Sequence, residues 1–155
     1  MGIVSIDKAL IARVTEAARE SLRRRMNFNF HAGAADNPHR FLNVMLKGTY
    51  VQPHRHFHPP KAEAFLALSG LGCVVTFDDA GVVTGRYFIG DSYEALGVDI
   101  GPGMWHTVVV LSDVLVCYEV KPGPWDPVTD KEFAGWAPPE GSPEVDRYVS
   151  GILEF

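Results

Sequence analysis

Between Phe41 and Val120 the apolar residues fall in eight short runs, FLNVML, TYVQPH, EAFLAL, GCVVTF, VVTGRYFI, ALGVDI, HTVVVL and VLVCYEV. Turn-forming residues separate them: Lys47-Gly48, Ser69-Gly70, Asp78-Asp79-Ala80-Gly81 and Gly101-Pro102-Gly103. Strands at this spacing, with no helical pattern between them, predict an antiparallel sandwich or barrel of jelly-roll type. EAFLAL and VLVCYEV are apolar on both faces. An outer layer must therefore cover part of the barrel, supplied by an N-terminal helix or by a second subunit.

The flanks read differently. From Asp7 to about Arg25 there is no Pro or Gly, and Leu10, Val14, Ala17 and Ala18 recur at helical spacing, which predicts one amphipathic helix ending in the basic cluster Arg23 to Arg25. NFNFHAGAADNPHR follows at turn density and reads as a loop. After Lys121 the chain becomes Pro-rich, with Trp125, Phe133 and Trp136 spaced through it. It reads as an arm packed over the barrel or over a partner. A last short helix is expected from Ser142 as N-cap, with Pro143 at its first position, through Tyr148. The expectation is one domain over 1–155: helix and loop to residue 40, barrel over 41–120, arm and short helix over 121–155.

Composition narrows the class. A chain of 155 residues, 46% hydrophobic and 21% charged, can build its own core. No run of 18 apolar residues occurs and the N-terminus lacks the order of a secretory signal, so a cytoplasmic protein without membrane contact is expected. The net charge of −5 disfavours a nucleic-acid partner. Cys73 and Cys117 sit inside apolar runs and are expected to be buried free thiols. Lys61, Lys121 and Lys131 are expected to be solvated surface residues.

The candidate chemistry is His54-Arg55-His56 with Glu63 at the head of the next run. In an extended strand, side chains two apart share a face, so the two imidazoles can meet at one point while Arg55 faces away. Glu63 can converge on them across the turn, and His106 in PGMWHTVVV can supply a fourth ligand. Three neutral imidazoles and one carboxylate suit one divalent first-row metal such as Fe, Mn, Ni or Zn. Tyr50 and Gln52, on the same strand face, are candidates for holding a substrate. Arg25, Asn27, Asn29 and His31, followed by Arg40 and Asn43, either line a mouth for an anionic or hydroxylated ligand or form a satisfied surface loop.

These residues resemble the cupin family, whose fold is a double-stranded β-helix, or jelly-roll, barrel. Gly48, TYVQP, His54, Arg55, His56, then Glu63, AFLALS and Gly70 reproduce most of the first cupin motif. Six residues, FHPPKA, separate His56 from Glu63 where the family has three or four, which leaves His58 as an alternative to Glu63. The second motif is matched at Gly103 and His106, with Gly101 in place of a Pro and Val110 in place of an Asn. More narrowly, NFNFH, GTYVQPHRH, PPKAEAF, PGMWHTV and VKPGPWDPVTDKEF are similar to the WbuC family of cupin-fold metalloproteins, found in bacterial surface-polysaccharide gene clusters. The resemblance implies a mainly β cupin barrel with an N-terminal and a short C-terminal helix.

Four protein ligands on an octahedral ion leave about two positions for water or substrate. The expected function is a metal-dependent enzyme acting on a small oxygen-rich molecule, a sugar derivative or a hydroxy or oxo acid. His58, Tyr50 or a metal-bound hydroxide would be its base. The rival is a non-catalytic protein in which the metal anchors a small ligand. A homodimer is expected, because one helix cannot cover all the apolar surface.

Overall fold

The computed structural model describes residues 2–154. Helix α1 spans Lys8–Glu20, and the Asp7 carboxylate caps it by accepting from the Leu10 N–H at 2.8 Å. The helix ends at Ser21 rather than near Arg25, and Arg24 takes a positive φ of 56°. Arg25 instead opens strand β1 (Arg25–Asn29), so the stretch expected to be a loop is partly a strand. Period-two alternation explains it: Phe28 and Phe30 pack on the cluster beneath α1, while Asn27 and Asn29 face the other way.

The remaining elements are β2 (His39–Leu46), β3 (His54–Arg55), β4 (Glu63–Ser69), β5 (Leu71–Phe77), β6 (Val83–Gly90), β7 (Gly97–Ile100), β8 (Trp105–Val110), β9 (Val114–Lys121), β10 (Glu132–Phe133) and α2 (Val145–Leu153). They form two five-stranded antiparallel sheets, ordered β1-β2-β9-β4-β7 and β10-β3-β8-β5-β6. This is the mainly β cupin barrel with one helix at each end. Seven of the eight apolar runs become strands with shifts of a residue or two. TYVQPH yields only the two residues of β3, because Pro53 has no N–H to donate to a ladder.

Three apolar layers hold the barrel. Met45, Phe65, Val74, Ile89, Val108, Leu115 and Cys117 fill the space between the sheets. Leu10, Val14 and Ala18 of α1 cover Leu42, Val44 and Val116 on the outside of the first sheet. Ala134, Ala137 and Ile152, with Trp136 and Tyr148, cover Cys73, Val75, Phe77 and Val109 outside the second. The both-face-apolar strands are thus largely covered from within the chain. What stays open is the β4–β7 edge, where Leu66, Leu68 and Leu96 are 46%, 38% and 59% exposed.

Helix α2 starts two residues later than expected. Ser142 and Pro143 form a turn ahead of it, the N-cap is Glu144, and the helix runs on to Leu153. Burial of Ile152 against the second sheet favours that extension. Both cysteines are free and buried. Among the described residues no helix is long and apolar enough to cross a membrane.

Candidate metal centre

His54 on β3 stands directly opposite His106 on β8, and their rings lie 4.5 Å apart. His56 follows two residues later, and Glu63 enters from the first residue of β4. One side-chain atom from each of His54, His56, Glu63 and His106 lies within 4.8 Å of all the others, and all four residues are buried. Glu63 Oε2 is 3.0 Å from His106 Nε2 and 3.5 Å from His56 Nε2. The turn before β8 helps to hold this geometry. Gly103, at φ +77°, donates its N–H to the His56 carbonyl at 3.0 Å, and a Cβ there would stand 2.8 Å from the Phe57 ring.

The outer nitrogen of each histidine is spoken for. His54 Nδ1 donates to the Gln52 carbonyl at 3.0 Å, His106 Nδ1 to the Met104 carbonyl at 2.9 Å, and His56 Nδ1 to the Asp130 carbonyl. A carbonyl can only accept, so in neutral rings all three Nε2 atoms are lone pairs turned to the centre. Burial, with the fields of Lys131 and His106, keeps His54 well below the usual histidine pKa. Burial pulls Glu63 upward, but the His106 and His56 rings beside it outweigh that and hold the carboxyl well below its ordinary value. His56 Nε2 makes no hydrogen bond at all. Lone pairs and a carboxylate converging without a proton between them fit a divalent cation.

Around the cluster lies a polar frame that the motif does not contain. Asp130 bridges Lys61 and Lys121, each ammonium 2.8 Å from one of its two oxygens. Lys61 also donates to the Pro124 carbonyl at 2.6 Å. Lys61 and Lys121 are 4% and 6% exposed, so neither is the solvated residue expected from the sequence. Lys131 is half-buried. An ion network formed with a residue of the arm draws these lysines inward, which local patterning cannot reveal. Glu119, also buried, accepts from Asn43 Nδ2 at 2.9 Å. Burial and the charge of Glu63 push its pKa well up. One cue was available: Leu115, Cys117, Glu119 and Lys121 alternate along β9, and all four are buried.

Three of the four cluster residues, His54, Glu63 and His106, line a cavity of about 790 Å³. Gln52 lines it and is held by donating to the Ala134 carbonyl at 3.0 Å. Arg25, Asn27, Asn29, His31 and Asn43 line it too, because β1 runs along its mouth. Tyr50 lies outside it, buried and donating its hydroxyl to the Pro138 carbonyl at 2.8 Å, because the backbone before Pro53 is not a regular strand. Arg40 points away as well, since alternation on β2 turns His39, Phe41, Asn43 and Met45 inward. His58 is exposed and outside the cluster, whereas Glu63 is in it.

Residues 6–89 match the protein family described as a domain of unknown function (DUF6016). No curated protein matches the chain. Among solved structures, the capsular polysaccharide assembling protein CapF from Staphylococcus aureus is 26% identical, with a TM-score of 0.55 over 64% of this chain and 27% of that one. The chain therefore spans about a quarter of the length of CapF. BH2720 from Bacillus halodurans shares the fold more completely, with a TM-score of 0.58 over 86% of this chain and 89% of that one, at 16% identity.

Proposed function

Because the chain belongs to the DUF6016 family, whose description assigns no activity, we propose its function from the site: a metal-binding cupin, close to the WbuC proteins, that acts on a small oxygen-rich molecule. The observation that carries this reading is the convergence of three buried imidazole lone pairs and an ionised Glu63 on one point in the wall of a cavity. His54, His56, Glu63 and His106 would hold one divalent Fe, Mn, Ni or Zn ion. When bound, the ion supplies Lewis acidity toward an oxygen of the ligand.

The chain's own groups do the rest. Gln52 and Asn43 offer amides to hydroxyl or carbonyl oxygens. Glu119 brings to the same wall a carboxyl group whose pKa is raised by burial and by Glu63. The class of ligand, a sugar derivative or a hydroxy or oxo acid, follows from these donors. The likeness to CapF, a capsular polysaccharide assembling protein, supports a role in surface-polysaccharide metabolism. The exposed leucines at the β4–β7 edge support a homodimer.

Metal analysis of protein purified without a His-tag tests the centre. One equivalent per chain is expected, and none in the His54→Ala/His56→Ala double variant; metal retained in that variant overturns the assignment. Ligand binding is then read on cobalt-substituted protein. A chelating acid such as malate or citrate should perturb its visible spectrum far more than acetate does. Equal responses would favour the non-catalytic alternative, in which the metal only ties the barrel together.

A further inference from the structure

The arm residues beside β3 place a charge in the cavity that no carboxylate of the chain pairs with directly. β10 pairs with β3 so that Glu132 is opposite Arg55 and Phe133 opposite His54. Glu132 turns outward and pairs with Arg55 at 2.8 Å, while Lys131 and Phe133, on the other face, line the cavity. Every other lysine or arginine on that lining has a carboxylate partner. Lys121 has Asp130, and Arg23 and Arg25 share Glu140. Lys131 makes no hydrogen bond or ion pair among the described residues.

The carboxylates whose field reaches Lys131 are Glu63, Glu119 and Asp130, and each is committed elsewhere. Both oxygens of Asp130 are taken by Lys61 and Lys121. Glu119 is bound to Asn43, and Glu63 faces the histidines. A half-buried ammonium beside an aromatic wall, short of a partner, is costly to keep. Burial also pulls its pKa below the usual lysine value. A ligand that brings its own negative charge removes that cost.

We propose that Lys131 is the anion-binding residue of this cavity, and that the ligand is an acid whose carboxylate or phosphate pairs with Lys131 while its remaining oxygens face the histidine cluster. The second half of this inference rests on the metal-centre reading; the first does not. A charge-assisted pair in a recess of this kind discriminates strongly between an acid and its neutral analogue.

The test uses one sugar in three forms: D-galacturonate, D-galactose 6-phosphate and neutral D-galactose. By titration calorimetry on metal-loaded protein, at least one acid should bind at least about tenfold more tightly than galactose. Lys131→Met should erase that preference at unchanged metal content, and Lys131→Arg should keep most of it. The carboxylate and phosphate arms distinguish the two sources of charge. In metal-free protein, acetylation of Lys131 followed by peptide mass spectrometry should be slowed by the preferred acid and not by galactose. Protection without metal uptake would leave the anion site standing while the metal reading fell. Failure of both acids to protect Lys131 at millimolar concentration, or an acid preference intact in Lys131→Met, would overturn the proposal.

Discussion

The Asp130 backbone carbonyl accepts the Nδ1 proton of His56, and the carboxylate of the same residue bridges Lys61 and Lys121. Orientation of one cluster histidine and neutralisation of two buried lysines therefore depend on a single position in the arm. Burial alone would raise the Asp130 pKa, but the two lysines hold it below the ordinary aspartate value.

Asp130→Ala should accordingly be among the most damaging single changes. It leaves two buried ammonium groups unpaired, for an expected loss of about 3–5 kcal/mol in chemical denaturation. It keeps the backbone carbonyl that holds the His56 ring but removes the lysine bridge that pins that segment in place, so metal affinity should fall, by up to about 10-fold. Unchanged affinity in the folded variant would show that the carbonyl holds its place without the lysine bridge.

The long spacer FHPPKA gives a sharp comparison. Glu63→Gln should weaken metal binding measurably, whereas His58→Ala, at an exposed position, should leave metal content at one per chain. Competition with a chromophoric chelator reads both. The reverse result would make His58 the ligand.

Metal-free protein should lose stability as the solution is acidified. An unfolded chain protonates His54 near the ordinary histidine value of about 6.5, while the folded chain resists until well below it, because burial disfavours the imidazolium. The unfolded state therefore binds more protons below that value, and stability declines with falling pH. Glu63, also depressed, adds a further loss once the pH drops through the ordinary glutamate range. Urea midpoints measured from about pH 7 to about pH 5 should fall, and more shallowly in His54→Asn. A flat profile would mean that His54 is already charged in the fold.

If the Leu66, Leu68 and Leu96 edge is a dimer interface, Leu66→Asp should shift sedimentation from dimer to monomer without lowering the thermal midpoint of the barrel core. A wild-type monomer at micromolar concentration would remove the dimer.

The strands were readable because their inward residues recur at period two and their turns carry Gly and Asp, signals that survive without knowledge of tertiary partners. The gathering of His54, His56, Glu63 and His106 was readable for the same reason, helped by the motif spacing. Tyr50 was misplaced when alternation was carried back through Pro53, where the ladder stops. Lys61 and Asp130 are separated by 69 positions, and only the docked arm brings them together. β1 was hidden because Asn-rich alternation looks like turn composition until Phe28 and Phe30 find the surface under α1.

The pairing of β10 with β3 also imposes an order on assembly during synthesis. His54, His56, Glu63 and His106 all leave the ribosome before Asp130 and Phe133 do. A nascent chain that has released its barrel strands but not its arm holds His56 without its carbonyl anchor, and the cavity without one wall. If the cluster holds a metal, tight capture should thus be a late event that waits for the arm to dock, and a ribosome stalled shortly after Lys121 should carry a barrel that binds the ion only weakly.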